Sequence, residues 1–160
     1  MPLICGAVYY PPSVSSRASS SSDPSVLYSD EYVRVRITNS GLLVRVERSA
    51  VHHPDREALL ASYRKVIAAI DRGGRQGRSL LIDTRVPAGR NDKWFEEAMS
   101  WVRPRIDSGF VRVGVLIRSA MGALQMRRLT SEDGLERIVG TNEEELVAAL
   151  IQDLPPRPRG

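Results

Sequence analysis

The sequence predicts an α/β domain built on one mixed, mostly parallel sheet with an N-terminal antiparallel hairpin and helical cover. Three observations carry this reading. Two alternating segments near residues 32–49 flank a short turn bearing glycine, which is the pattern of a half-buried hairpin. After them, strand-like and helix-like periodicities alternate, which favours a sheet with parallel neighbours joined through helices. The central apolar run "SLLID" is too short and too uniformly apolar for a half-exposed strand.

The chain divides by composition. Residues 11–25, "PPSVSSRASSSSDPS", hold serine and proline and almost nothing able to pack, so residues 1–25 are expected to form a disordered arm. A folded domain is expected over 26–154 and a short Pro/Arg tail over 155–160. With 160 residues, 42% of them hydrophobic and 26% charged, the composition is ordinary for a globular protein and supports one core rather than two.

Within the domain, "YVRVRI" (32–37) sets Val33, Val35 and Ile37 against Arg34 and Arg36, and "LLVRVERS" (42–49) sets Leu42, Val44 and Val46 against Leu43, Arg45 and Glu47. Between them "TNSG" supplies Asn39 and Gly41, both tolerant of positive φ, so a tight turn is expected. After "HHPDRE", Pro54 is expected in the first turn of a helix and Asp55 and Glu57 near its positive end. Leu59, Leu60, Tyr63, Val66, Ile67 and Ile70 then recur at helical spacing for about five turns before "DRGGRQG" stops the run. "SLLID" (79–83) follows as a central strand. "NDKWFEEAMSWVRPRI" places Trp94, Phe95, Ala98, Trp101, Val102 and Ile106 on one face of a second helix, capped by Asn91 or Asp92 and kinked or ended by Pro104. "FVRVGVLI" (110–117) reads as a strand, "SAMGALQMRRL" (119–129) as a short helix and "LERIVG" (135–140) as a short strand. Thr141 and Glu144 make a capping-box pattern for a last helix, which Pro155-Pro156 ends.

Composition also narrows the function. The net charge is +4, yet all but two of the 23 basic residues are arginines scattered among 19 acids, with no basic run and only 6% aromatics. That distribution argues for a mixed solvated surface and against a nucleic-acid footprint. No stretch reaches the roughly 18 apolar residues a membrane helix needs, and "MPLICGAVYY" has neither the basic start nor the apolar length of a signal peptide. A cytoplasmic protein without membrane association is expected, in keeping with a single cysteine, Cys5.

Little in the sequence points to catalysis. His52 and His53 are adjacent, do not converge on one metal, and have no cysteine near them, so no metal is expected and the pair reads as structural. No G-x-S-x-G elbow occurs. "DRGGRQGRS" follows a helix and precedes a strand, the reverse of a phosphate loop, and lacks the loop's lysine. No cofactor is expected. The better candidate is "LLIDTRVPAGRND" (80–92): Asp83 ends a strand, Arg85 and Arg90 flank a loop, and Asn91 and Asp92 begin a helix. At the carboxyl end of a parallel strand this geometry suits either anion binding or a plain surface connection.

From about 30 to 154 the chain resembles the STAS domain, in particular compact SpoIIAA-like variants related to anti-sigma-factor antagonists. The resemblance rests on the hairpin "EYVRVRITNSGLLVRVERS", the strand "SLLIDTR", the strand "RVGVLI" with a short helix after it, and "ERIVG" followed by "TNEEELVAALI". It implies a non-enzymatic switch or docking module. In the antagonists a serine at the start of the helix after the central strand is phosphorylated by a partner kinase. The equivalent stretch, "VPAGRND", has no serine or threonine, and Thr84 stands too close to the strand, so the phosphoswitch does not carry over. The expected function is therefore a regulatory domain that binds a protein through Asp83, Thr84, Arg85, Arg90, Asn91 and Asp92. The alternative is a small-ligand or nucleotide-binding protein, or an enzyme, that uses Asp83, Thr84 and Arg85. A self-associating module, a homodimer through a Trp94/Trp101 stripe, is a third reading.

Overall fold

The structure, a computed structural model, describes Asp23, residues 25–134 and residues 136–157, apart from the side chain of Asp133. Most of the predicted arm and the last three residues of the predicted tail lie outside the described residues. Asp23 accepts the Ser25 N–H on its carboxylate and the Val26 N–H on its carbonyl.

The strands are β1 (Val26–Ser29), β2 (Val33–Thr38), β3 (Leu43–Arg48), β4 (Ser79–Asp83), β5 (Val113–Leu116) and β6 (Ile138–Gly140). They lie side by side in sequence order in one sheet. β1–β2 and β2–β3 are antiparallel, and β3–β4, β4–β5 and β5–β6 are parallel. The hairpin, the central position of β4 and the mixed sheet agree with the sequence reading. Strand β1 is an addition to it: four residues with no clear alternation, held at the edge by pairing with β2. At the hairpin turn Asn39, Ser40 and Gly41 all take positive φ, and Leu42 N–H closes the turn on Asn39 O.

The helices are α1 (Arg56–Gly73), α2 (Lys93–Asp107), α3 (Ala120–Asp133) and α4 (Glu143–Ile151). Helix α1 begins at Arg56, two residues after the expected start at Pro54. Asp55 is its cap, accepting Ala58 N–H at 2.8 Å, so Pro54 precedes the helix rather than occupying its first turn. In α2, Pro104 lies inside the helix three residues before its end at Asp107, so the helix runs past the proline for less than one turn. Helix α4 is capped by Asn142, which accepts Glu145 N–H at 3.1 Å, and not by the Thr141/Glu144 pair.

Helices α1 and α2 cover one sheet face with the main core, in which Val35, Val46, Leu80, Leu59, Val66 and Val102 are buried. Alternation puts Ile82, Val115 and Val139 on that same face, where α3 packs through Ala123 and Met126. The opposite face carries Leu43, Leu81 and Leu116 under Leu146 and Leu150 of α4. Strand β3 is thus covered on both faces along much of its length, and not polar on one side as its alternation suggested.

Candidate functional site

Strand β4 stops at Asp83, and the chain turns over the carboxyl ends of the parallel strands before α2 begins. Alternation sends Asp83 to the α4 face, where Arg45 of β3 lies on the same side. The Asp83 carboxylate accepts Arg45 Nη2 at 2.6 Å, Arg85 Nη2 at 2.7 Å, Arg85 Nε at 3.0 Å and the Arg85 backbone N–H at 3.2 Å. Arg45 also pairs with Glu143 at the start of α4 and places its Nε 2.9 Å from Glu47. Arg36 pairs with Glu47 at 2.7 Å and Arg85 with Glu143 at 2.7 Å. The result is a charge-balanced chain of three arginines and three carboxylates from β2, β3, β4, the loop and α4. Burial pushes the Asp83 carboxyl up, but the donors from Arg85 and Arg45 outweigh it and hold the group below its ordinary range. Hydrogen bonding to Arg45 likewise lowers Glu143.

The remaining predicted residues are partly brought together. Thr84 is half-buried, and both its N–H and its hydroxyl donate to Leu116 O, at 3.0 and 3.1 Å. Arg90 donates to His53 O at 3.0 Å, pairs with Asp92 at 2.7 Å, and lies 4.7 Å from the Trp94 ring centre and 5.2 Å from that of Phe95. Asp92 is at the cap position of α2, but its carboxylate is taken by Arg90 and makes no capping hydrogen bond. Asn91 is exposed. Between the two anchored arginines, Pro87 is buried while Val86, Ala88 and Gly89 face outward, Val86 at 60% exposure. His53 is buried, stacked on Tyr32 at 4.0 Å and 5.8 Å from Tyr63, which is the structural role expected of it. Trp94 and Trp101 are half-buried against the core, and Arg105 stands 4.2 Å from the Trp101 ring.

A cavity of about 430 Å³ lies on the other side of the loop, over the sheet between α2 and α3. Thr84, Arg85, Pro87, Gly89 and Arg90 line its lip, so the loop is shared between the ion network and the cavity. Its body is mostly apolar, with Phe95, Met99 and Val102 from α2, Val115 and Ile117 at β5 and Met126 from α3, beside the Glu96–Arg103 pair and Gln125. Arg48 and Arg118 line it where β3 and β5 end. The other end of α2 contributes Asp107, whose carboxylate accepts Arg137 Nε at 2.7 Å in a buried pair. Among the described residues no group of three or more His, Cys, Asp and Glu is arranged to hold a metal.

Sequence reasoning missed Arg45, Glu47, Glu143, Arg48 and Arg118. For Arg45 there was one signal: it shares strand parity with Leu43, an apolar residue in the otherwise polar phase of β3, which marks that face as partly covered. The cavity had none, because it depends on how far α3 stands from α2. Among the described residues no helix is long and apolar enough to cross a membrane.

No protein-family model matches the chain, and no curated protein matches it. Among solved structures, it is similar to the 2.25 Å crystal structure of an uncharacterized protein from the DUF3478 family with a SpoIIAA-like fold, from Shewanella loihica PV-4. The two share 12% sequence identity with a TM-score of 0.52, over 77% of this chain and 98% of the other. At that identity the likeness speaks to architecture alone, and with the mixed sheet and its hairpin edge it gives the chain a SpoIIAA-like α/β fold.

Proposed function

We propose that this chain is a non-enzymatic, cytoplasmic regulatory domain that binds a partner protein through the loop 84–92 and the exposed start of α2. One observation carries the reading: an exposed Val86 stands on a loop whose charged residues, Arg85, Arg90 and Asp92, are already held by internal partners. A surface fixed before binding loses little conformational freedom on docking, and an apolar tip inside a charged rim is the usual anatomy of a small protein interface. The resemblance to anti-sigma-factor antagonists agrees with docking at this edge, without a phosphoswitch. Val86→Asp tests it. Affinity capture with the variant is expected to lose a partner that wild type retains, at unchanged melting temperature. Identical captured sets would remove the surface. A second copy of this chain is one candidate partner, and sedimentation at two concentrations tests for it.

The cavity under the loop supports a second reading, a small-molecule binding site. Its volume is within the range of ligand pockets, and its lining is mostly apolar, with the paired Glu96 and Arg103 and Gln125 on the helix walls and further polar groups at its ends. In that reading Thr84 and Arg85 contribute as part of the lip, while Asp83 stays in the ion network on the other face.

A further inference from the structure

We infer that the cavity between α2 and α3 takes an elongated apolar carboxylate, with its anionic head at the carboxyl ends of β3 and β5. This rests on the second reading above, that the cavity binds a small molecule. Six arginines line the cavity against two carboxylates, Glu96 and Asp107. Four of the six have carboxylate partners: Arg85 with Asp83 and Glu143, Arg90 with Asp92, Arg103 with Glu96, and Arg137 with Asp107. Arg48 and Arg118 have no carboxylate partner among the described residues. Arg48 is half-buried with its guanidinium 5.5 Å over the Phe95 ring, and Arg118 is exposed at the mouth. Both follow the last residue of a parallel strand or end one, so the surplus positive charge collects at one end of the cavity.

Behind that end the walls are largely apolar, from Phe95 and Met99 across Val115 to Met126, and the two charges on the α2 wall, Glu96 and Arg103, neutralise each other at 2.6 Å. Helix α2 runs antiparallel to β4 and β5, so the Asp107–Arg137 pair closes the far end with balanced charge. A guanidinium binds a carboxylate through paired, charge-assisted hydrogen bonds, and an apolar chain gains by leaving water for walls of this kind. A neutral amphiphile leaves the arginines without an anion, and a bare phosphate leaves the apolar walls empty. The distribution therefore selects for both properties in one molecule.

The test uses the full chain and three probes: decanoate, decanol and inorganic phosphate, each titrated while melting temperature and tryptophan fluorescence are followed. Decanoate is expected to raise the melting temperature saturably and to perturb Trp94. The double variant Arg48→Gln/Arg118→Gln is expected to weaken decanoate by about tenfold or more, the loss of a charge-assisted contact, and to leave decanol unchanged. Met126→Trp, which fills the cavity from its α3 side, is expected to abolish the decanoate response. Decanol binding as well as decanoate, or an unaltered decanoate affinity in the double variant, overturns the anionic assignment while keeping the cavity as a binding site. No response to decanoate or decanol, in wild type and Met126→Trp alike, overturns the binding site itself. A response to phosphate equal to that of decanoate overturns the requirement for an apolar body.

Discussion

Asp83 is the residue on which the sheet edge, the loop and α4 depend together. Its carboxylate is nearly buried and meets two guanidinium groups. Asp83→Asn leaves Arg45 and Arg85 in place with only Glu143 and Glu47 as counter-charges, and is expected to cost about 3 kcal/mol in urea unfolding, as when one member of a buried pair is removed. Removing both charges, with Arg45→Met and Asp83→Leu, is expected to recover most of that loss. His53 and these carboxylates also set a pH dependence. Burial, together with the nearby Arg48 charge, pushes His53 from the ordinary 6.5 down to about 4. The unfolded chain takes up that proton near 6.5 and the folded chain only near 4, so stability falls as pH drops through this window. Asp83 and Glu143, held below their ordinary values, contribute stability above the carboxylate range, and this is lost at still lower pH. A urea midpoint that declines from pH 7 toward 4, with the decline reduced by His53→Phe, is the expected profile.

At the scale of elements, two close fits hold helices in place. Gly114 of β5 faces α4, and a Cβ built there comes 2.8 Å from Leu150 Cδ1. Gly114→Ala is therefore expected to displace α4 and cost about 1–3 kcal/mol by overpacking, with Gly114→Ala/Leu150→Ala regaining part of it. Gly89 is the contrast, since a Cβ there meets nothing within 4 Å, and Gly89→Ala is expected to be tolerated. Arg75 closes the end of α2: its Nη1 lies 2.8 Å from the carbonyl oxygens of Arg105, Ile106 and Ser108. Arg75→Ala is expected to cost about 2 kcal/mol in thermal unfolding. These contacts show where sequence reading reached and where it stopped. The hairpin, the central strand and the amphipathic helices were legible because hydrophobic periodicity is a local property. "DRGGRQG" was legible as a helix stop, but the second use of Arg75 was not, because its acceptors lie some thirty residues further on. Strand β1 exists through pairing with β2 rather than through a pattern of its own. The site was half legible for the same reason: Asp83, Arg85 and Arg90 stand in one loop, whereas Arg45 and Glu143 reach them only through the fold.

For the molecule as a whole, the sheet is continuous and both of its faces carry buried side chains, so one cooperative transition is expected. Tryptophan fluorescence, which follows α2, and far-UV circular dichroism, which follows all helices, are expected to coincide in urea. Two separate transitions would show that the α3–α4 side opens on its own. The strand order has a further consequence. Because each strand lies beside its predecessor, every new strand finds its partner already made as the chain leaves the ribosome, and no late segment has to be threaded between earlier ones. The last step is then the arrival of α4, where Glu143 clasps Arg45 and Arg85 and Leu150 O receives the Ser79 hydroxyl. A nascent chain released before that helix emerges carries an assembled sheet with Arg45 and Arg85 lacking Glu143 and with an apolar strip uncovered, which is the form of this protein most exposed to chaperones and proteases.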